Sequence, residues 1–140
     1  MYHSYFKKYT FQFKHPSGTS RGVLTEKVSW FVFLFHDLEP DTIGIGECSP
    51  LEGLSIDDRM GYEDKLVEVC GNIDNYLDQS ESLSDYPSIR FGIEMALLDY
   101  QQRGRRILFP SAFTEGNDSI LINGLVWMGS FEAMLSEVNL

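Results

Sequence analysis

The 140-residue sequence predicts an α+β fold, a three-stranded antiparallel meander followed by a helical bundle. Three observations carry that expectation. Three runs with strand character crowd in ahead of Cys48. The turn DLEPD, Asp37 to Asp41, joins two of them tightly. From Leu66 onward the apolar residues recur at helical spacing.

Ser4 to Phe13 alternates, with Tyr5, Tyr9, Phe11 and Phe13 on one face and Lys8, Thr10 and Gln12 on the other, which predicts a half-buried strand. Val28 to Phe35 is apolar on both faces and reads as a central strand covered on both sides. Thr42 to Glu47 is a short third strand. Its Gly44 and Gly46 share a face and leave it bare for the close approach of another element. Between the first two strands, KHPSGTSRGVLTEK (Lys14 to Lys27) has no periodicity and exceeds the about 2–5 residues of an ordinary hairpin loop. In a meander, the loop after the first strand and the loop after the third emerge at the same end. GTSRG and SPLEGLS are therefore expected side by side.

From Asp57 to Gln79 a helix is expected, with Leu66, Val69, Cys70, Ile73 and Leu77 on one stripe and Asp57 or Asp58 as its N-cap. After QSESLSD a second helix starts near Pro87, where a missing N–H costs nothing. Ile89, Ile93, Ala96, Leu97 and Tyr100 form one stripe, and Phe91, Met95 and Leu98 another, so this helix is expected between two layers. Gly104 ends it. Glu94 and Asp99 read as structural acids. Ser119 to Met128 has strand character, and Ser130-Phe131-Glu132 opens another amphipathic helix, the start of a β/α repeat that is not continued.

Composition narrows the function. With 21 acidic against 11 basic residues the net charge is -10, which disfavours a nucleic-acid or anionic-membrane partner. The longest apolar run, Trp30 to Phe35, falls far short of the roughly 20 residues of a membrane span, and the first residues lack a secretory pattern. A cytoplasmic protein is the expectation. Cys48 and Cys70 form no CxxC and no histidine stands at ligand spacing from either, so zinc is not expected. His3, His15 and His36 read as solvated or locally bonded.

Three segments taken together, GIGECSPLEGLS (44–55), PSIRFGIEMALLDY (87–100) and ILINGLVWMG (120–129), resemble in order and spacing the amino-terminal region of o-succinylbenzoate synthases of the enolase superfamily. GTSRG (18–22) is similar to that family's first capping loop. The resemblance implies an enolase-like capping domain over residues 1–118 and, over 119–140, the first β/α unit of a truncated TIM-type barrel. A complete barrel takes typically ~250 residues.

The resemblance also implies a lyase of menaquinone biosynthesis that removes a proton beside a carboxylate. Lysine bases and a magnesium ion on later barrel strands would do that work, so no catalytic or metal-binding residue is expected in this chain. Its last lysine is Lys65. The chain alone is expected to be inactive, with its missing barrel and a small carboxylate as partners, and homo-oligomers possible. Gly18, Thr19, Ser20, Arg21 and Gly22 of the first loop and Ser49, Pro50, Leu51 and Leu54 of the second are expected to line the substrate as a lid. Arg21 is the candidate carboxylate partner, Trp127 a pocket residue on the first barrel strand, and Glu47 a structural hydrogen-bond acceptor. Muconate cycloisomerase, N-acylamino acid racemase and dipeptide epimerase remain alternatives on the same scaffold. A non-catalytic binding or dimerisation module is the alternative of another class.

Overall fold

The structure is a computed structural model describing residues 1–19, 22–126 and 129–138. The meander is present: β1 (Tyr2–Thr19), β2 (Gly22–His36) and β3 (Glu39–Cys48) pair antiparallel in the order β1-β2-β3. The β2–β3 turn is tighter than DLEPD suggests, since His36 already pairs with Glu39.

The expected loop over 14–27 is corrected to a paired hairpin. Ser17 pairs with Leu24, Gly18 with Val23 and Thr19 with Gly22. Both faces of this arm meet water, so its side chains carry no alternation; backbone pairing alone extends the ladder from its anchored base. The ladder breaks once. Gln12 pairs with Glu26 and Ser17 with Leu24, so the four residues Phe13 to Pro16 stand opposite Thr25 alone. Pro16 has no N–H to donate, and β1 bulges there.

The helix expected over 57–79 is two helices, α1 (Tyr62–Gly71) and α2 (Ile73–Asp78). At the break the Asn72 side-chain amide donates to the Glu68 carbonyl (3.0 Å), while its backbone N–H turns to Val69 (3.2 Å). A side chain that takes the acceptor of its own i−4 turn interrupts the helix. Asp57 does not cap α1, whose N-cap is Gly61. It serves α3 (Pro87–Gln101) instead: Asp57 Oδ2 accepts from the Ser88 N–H (2.8 Å) and the Ser88 hydroxyl (2.6 Å). An orphan donor of the first turn is thus satisfied from a distant loop.

The bare glycine face of β3 receives α3. A Cβ on Gly46 would overlap the Gly92 carbonyl, and one on Gly44 the Ala96 carbonyl. Beneath this seam Val32, Leu34, Leu66, Val69, Leu83, Ile89, Ile93 and Ala96 form the core. Asp99 is buried at its far end, where Oδ2 accepts from the Ile45 N–H (2.8 Å) and the Arg106 guanidinium, and Oδ1 from the Arg106 N–H (2.8 Å). Glu94 lies on the helix surface, bonded to Arg90 and Ser80.

Two layer expectations are corrected. The helices cover the face bearing Tyr2 and Phe6, leaving Tyr5, Tyr9 and Phe11 outward with exposures of 41%, 56% and 37%. Those rings shield one another and β2: Tyr5 stacks on Phe33 at 4.8 Å, and Phe11 meets Phe31 edge-on at 6.1 Å. Helix α3 likewise has one layer beneath it among the described residues, and Phe91 stands exposed. Helix α4 (Phe131–Val138) forms as expected, whereas residues 119–126 make no strand. None of β1 to β3 pairs with them, and a strand exists only through a neighbour's hydrogen bonds.

Candidate functional site

The two elements expected to act as a lid meet at one end of the sheet. Leu24, Glu26, Lys27 and Val28 of the hairpin and Pro50 and Leu51 of the second loop line one cavity of about 270 Å³. The second loop is folded on itself. The Leu51 carbonyl accepts from the N–H groups of Leu54 (3.1 Å) and Ser55 (2.9 Å), the Ser55 hydroxyl accepts from the Leu51 N–H (2.9 Å), and Asp58 accepts from the Gly53 N–H (2.7 Å). Asp57 then pins its far end to α3. Asp57 Oδ1 is buried and has no hydrogen-bond partner among the described residues.

Ser29, fully buried in the apolar run of β2, joins the elements. Its hydroxyl lies 2.7 Å from Glu47 Oε1 and 3.0 Å from Ser49 Oγ. A carboxylate only accepts, so Ser29 donates to Glu47 and Ser49 donates to Ser29. Glu47 is therefore the structural acceptor expected, fed by a hydroxyl rather than by loop amides. Lys27 Nζ stands 3.8 Å from the same oxygen, a loose pair at partly exposed positions. Lys27, Glu47 and Ser49, with Ser88 and Phe91 at the start of α3, line a further cavity of about 330 Å³.

A cavity of about 800 Å³ lies under the β1 bulge. It is lined by Phe11, Phe13, Lys14, His15, Lys27 and Gly18 among others, and by the carboxylates Glu47 and Glu137, the latter from α4. The bulge created by Pro16 turns these residues into one concavity.

Cys48 takes no part in chemistry. It is fully buried against Gly92, and burial pushes its thiol well above the usual range, so no thiolate is available. Tyr62 is likewise held as the neutral phenol, chiefly by burial, with its hydroxyl 2.6 Å from Ser88 Oγ. Because Ser88 gives its proton to Asp57, Tyr62 donates to Ser88.

Of the residues expected from the sequence, Gly18 lines the large cavity, the Thr19 backbone pairs with Gly22 at the hairpin end, and Pro50 is buried between hairpin and loop. Leu51 packs beside Pro50, while Leu54 is 53% exposed and points away from the cavities. Ser20, Arg21 and Trp127 fall outside the described residues. Lys27, Ser29 and Asp57 were missed. Only Ser29 carried a signal, a small hydroxyl inside an apolar strand; Lys27 stood at the edge of a supposed loop. Among the described residues no three His, Cys, Asp or Glu side chains converge to hold a metal.

No family model matches the chain. Over 90% of its length it is 34% identical to an o-succinylbenzoate synthase of Desulfotalea psychrophila, spanning 42% of that relative. In structure it is similar to MenC of the same organism, with a TM-score of 0.76 and 28% identity over 99% of this chain and 45% of the other. The chain thus spans less than half the length of either match, and the resemblance read from the three sequence segments is borne out.

Proposed function

We propose that residues 1 to about 118 are the lid domain of an o-succinylbenzoate synthase of the enolase superfamily, closing the mouth of a (β/α) barrel that carries the reacting groups. One observation carries this reading. The β1–β2 arm and the 49–58 loop meet at one end of the sheet and jointly wall two cavities. The boundary near 118 rests on the sequence reading; in the fold the last half-buried residue before it is Leu108, and residues 109 to 126 are exposed.

In that reading the lid excludes water and grips the non-reacting part of a small carboxylate substrate, while proton abstraction takes place on the barrel. Binding energy from the remote part of a substrate can hold the reacting centre in place. The superfamily resemblance implies a magnesium ion that would stabilise charge developing beside the carboxylate. The described residues of this chain do not fit it, because no three acidic, histidine or cysteine side chains among them converge. The partly exposed, polar Lys27, Glu47 and Ser49 suit recognition of a polar ligand, and the buried thiol suits none.

The test is a chimera in which residues 1–118 replace the matching segment of the Desulfotalea enzyme. Formation of o-succinylbenzoate by the folded chimera, and none by the isolated 140-residue chain, is expected. A folded chimera without turnover, or turnover by the isolated chain, overturns the reading.

A further inference from the structure

The cavity under the β1 bulge has a charge character at odds with the rest of the chain. The net charge is -10, yet Lys14, His15 and Lys27 line this one concavity. Among the described residues Lys14 makes no ion pair, and Lys27 has only the loose 3.8 Å contact with Glu47. Glu47 already accepts a 2.7 Å bond from Ser29, which leaves it a weaker claim on the ammonium. Two carboxylates, Glu47 and Glu137, also line the space. They equal the two lysines in number, whereas over the chain as a whole acids outnumber bases almost two to one.

The walls on the other side are rings. Phe11 and Phe13 line the cavity, and Phe11 is 37% exposed although it already leans on Phe31. An apolar wall with a few convergent polar groups is the usual make-up of a small-molecule site, and a volume of about 800 Å³ is ample for one six-membered ring with an acidic side arm. The backbone supports the same conclusion. Bulges are over-represented beside functional sites because they re-aim side chains, and this one brings Phe13, Lys14 and His15 to a wall that a regular ladder would have split between two faces.

We propose that this cavity binds the carboxylate arm of a ring-bearing organic acid, with Lys27 as its paired cation, Lys14 as the second cation, and Phe11 and Phe13 as the bed for the ring. The proposal rests on the lid reading for the class of ligand, and deepens it by moving anion recognition from the hairpin tip to the bulge. Lys27 is the better placed of the two cations, because it lines all three cavities at the junction of arm and loop. Release from Glu47 lets its ammonium swing to an incoming carboxylate without breaking a short bond.

The experiment is a titration of the 140-residue chain with o-succinylbenzoate, followed by NMR of the lysine side chains and phenylalanine rings. Shifts confined to Phe11, Phe13, Lys14, Lys27 and their neighbours are expected. Lys27→Met should weaken binding about tenfold, as loss of one charge-assisted contact does. Lys27→Arg should restore much of it, and Glu47→Gln should tighten it by removing the competing carboxylate. An unchanged affinity in Lys27→Met, equal binding of the neutral diamide of the same acid, or no shift at millimolar ligand overturns the proposal. The chimera separates the two readings. If it turns over but its KM is unmoved by Lys27→Met, the subsite fails and the lid stands; if it is inactive while the isolated chain binds through Lys27, the lid reading fails and the subsite stands.

Discussion

The seam between β3 and α3 and the far half of the β1–β2 arm are built from the same backbone elements under opposite rules. At the seam no side chain intervenes: Gly44 and Gly46 let α3 lie against the strand, and Gly92 makes room for the Cys48 thiol. On the arm, beyond Gln12 and Glu26, the ladder continues with water on both faces, and side chains project freely into cavities. A seam without slack fixes the position of the sheet, whereas the arm can change its side chains without disturbing the core. The difference separates a frame that must not move from a surface that can be respecified for a ligand.

The most direct way to break the comparison is at the seam. Gly46→Ala places a methyl group onto the Gly92 carbonyl, and backbone cannot yield as a flexible side chain would. A loss of about 3 kcal/mol or failure to fold is expected in chemical denaturation, since overpacking costs typically ~1–3 kcal/mol and more when rigid. A loss under 1 kcal/mol would show that the seam has slack.

Asp99→Ala tests the far end of the seam. It leaves the Ile45 and Arg106 N–H groups without their acceptor. Because Arg106 is half exposed, its guanidinium can turn to water, so the expected loss is about 2 kcal/mol rather than the larger cost of a fully buried pair. A neutral outcome would mean that the loop after α3 is not tied to β3.

On the lid side a glycine matters for the opposite reason. Gly53 has φ of 68° and nothing near a built Cβ, so Gly53→Ala strains the backbone without any clash. About 1 kcal/mol is expected, with the loop still formed. A loss as large as that of Gly46→Ala would place the loop within the frame.

The smallest effect lies at the sheet end remote from the lid. The His3 ring nitrogen lies 2.5 Å from Asp37 Oδ1, and this hydrogen bond holds the Asp37 carboxyl below its ordinary value of 3.8. A carboxyl depressed in the folded state adds stability above its unfolded pKa, and that stability is lost as pH falls through the folded value. The difference in Tm between the parent and His3→Ala should therefore shrink as pH falls below about 3.8. Both groups are well exposed, so the difference should be slight and should fade in high salt. A difference that grows with acid would contradict the assigned pair.

Much of the frame was legible because it rests on local rules. Alternation marked β1, a run apolar on both faces marked β2, the Gly-Ile-Gly spacing marked the bare face of β3, and Pro87 marked the first residue of α3. The meander argument also placed the β1–β2 connection and the loop after β3 at one end of the sheet, although among the described residues it is 24–28, rather than those of GTSRG, that meet Pro50 and Leu51. The site was less legible. Arg21, expected as the carboxylate partner because a guanidinium suits bidentate binding, lies outside the described residues, while the concavity at the Pro16 bulge and the entry of Lys27 into it from the opposite strand had no sequence signal. Asp57 read as the cap of the helix next in sequence and proved to serve one 31 residues away, since its partner Ser88 is brought near only by packing.

The sequence by itself determined the strand order, the starts of α3 and α4 and the face of β3 on which a helix could settle, because periodicity, proline and glycine act within a few residues. Tertiary structure alone decided which face of β1 meets the helices, that the arm remains paired through residues without alternation, and that Lys14, Lys27 and two phenylalanines share one cavity. Those outcomes depend on register and on a bulge, which relate residues across strands, and a single strand's pattern carries no information about its partner's register.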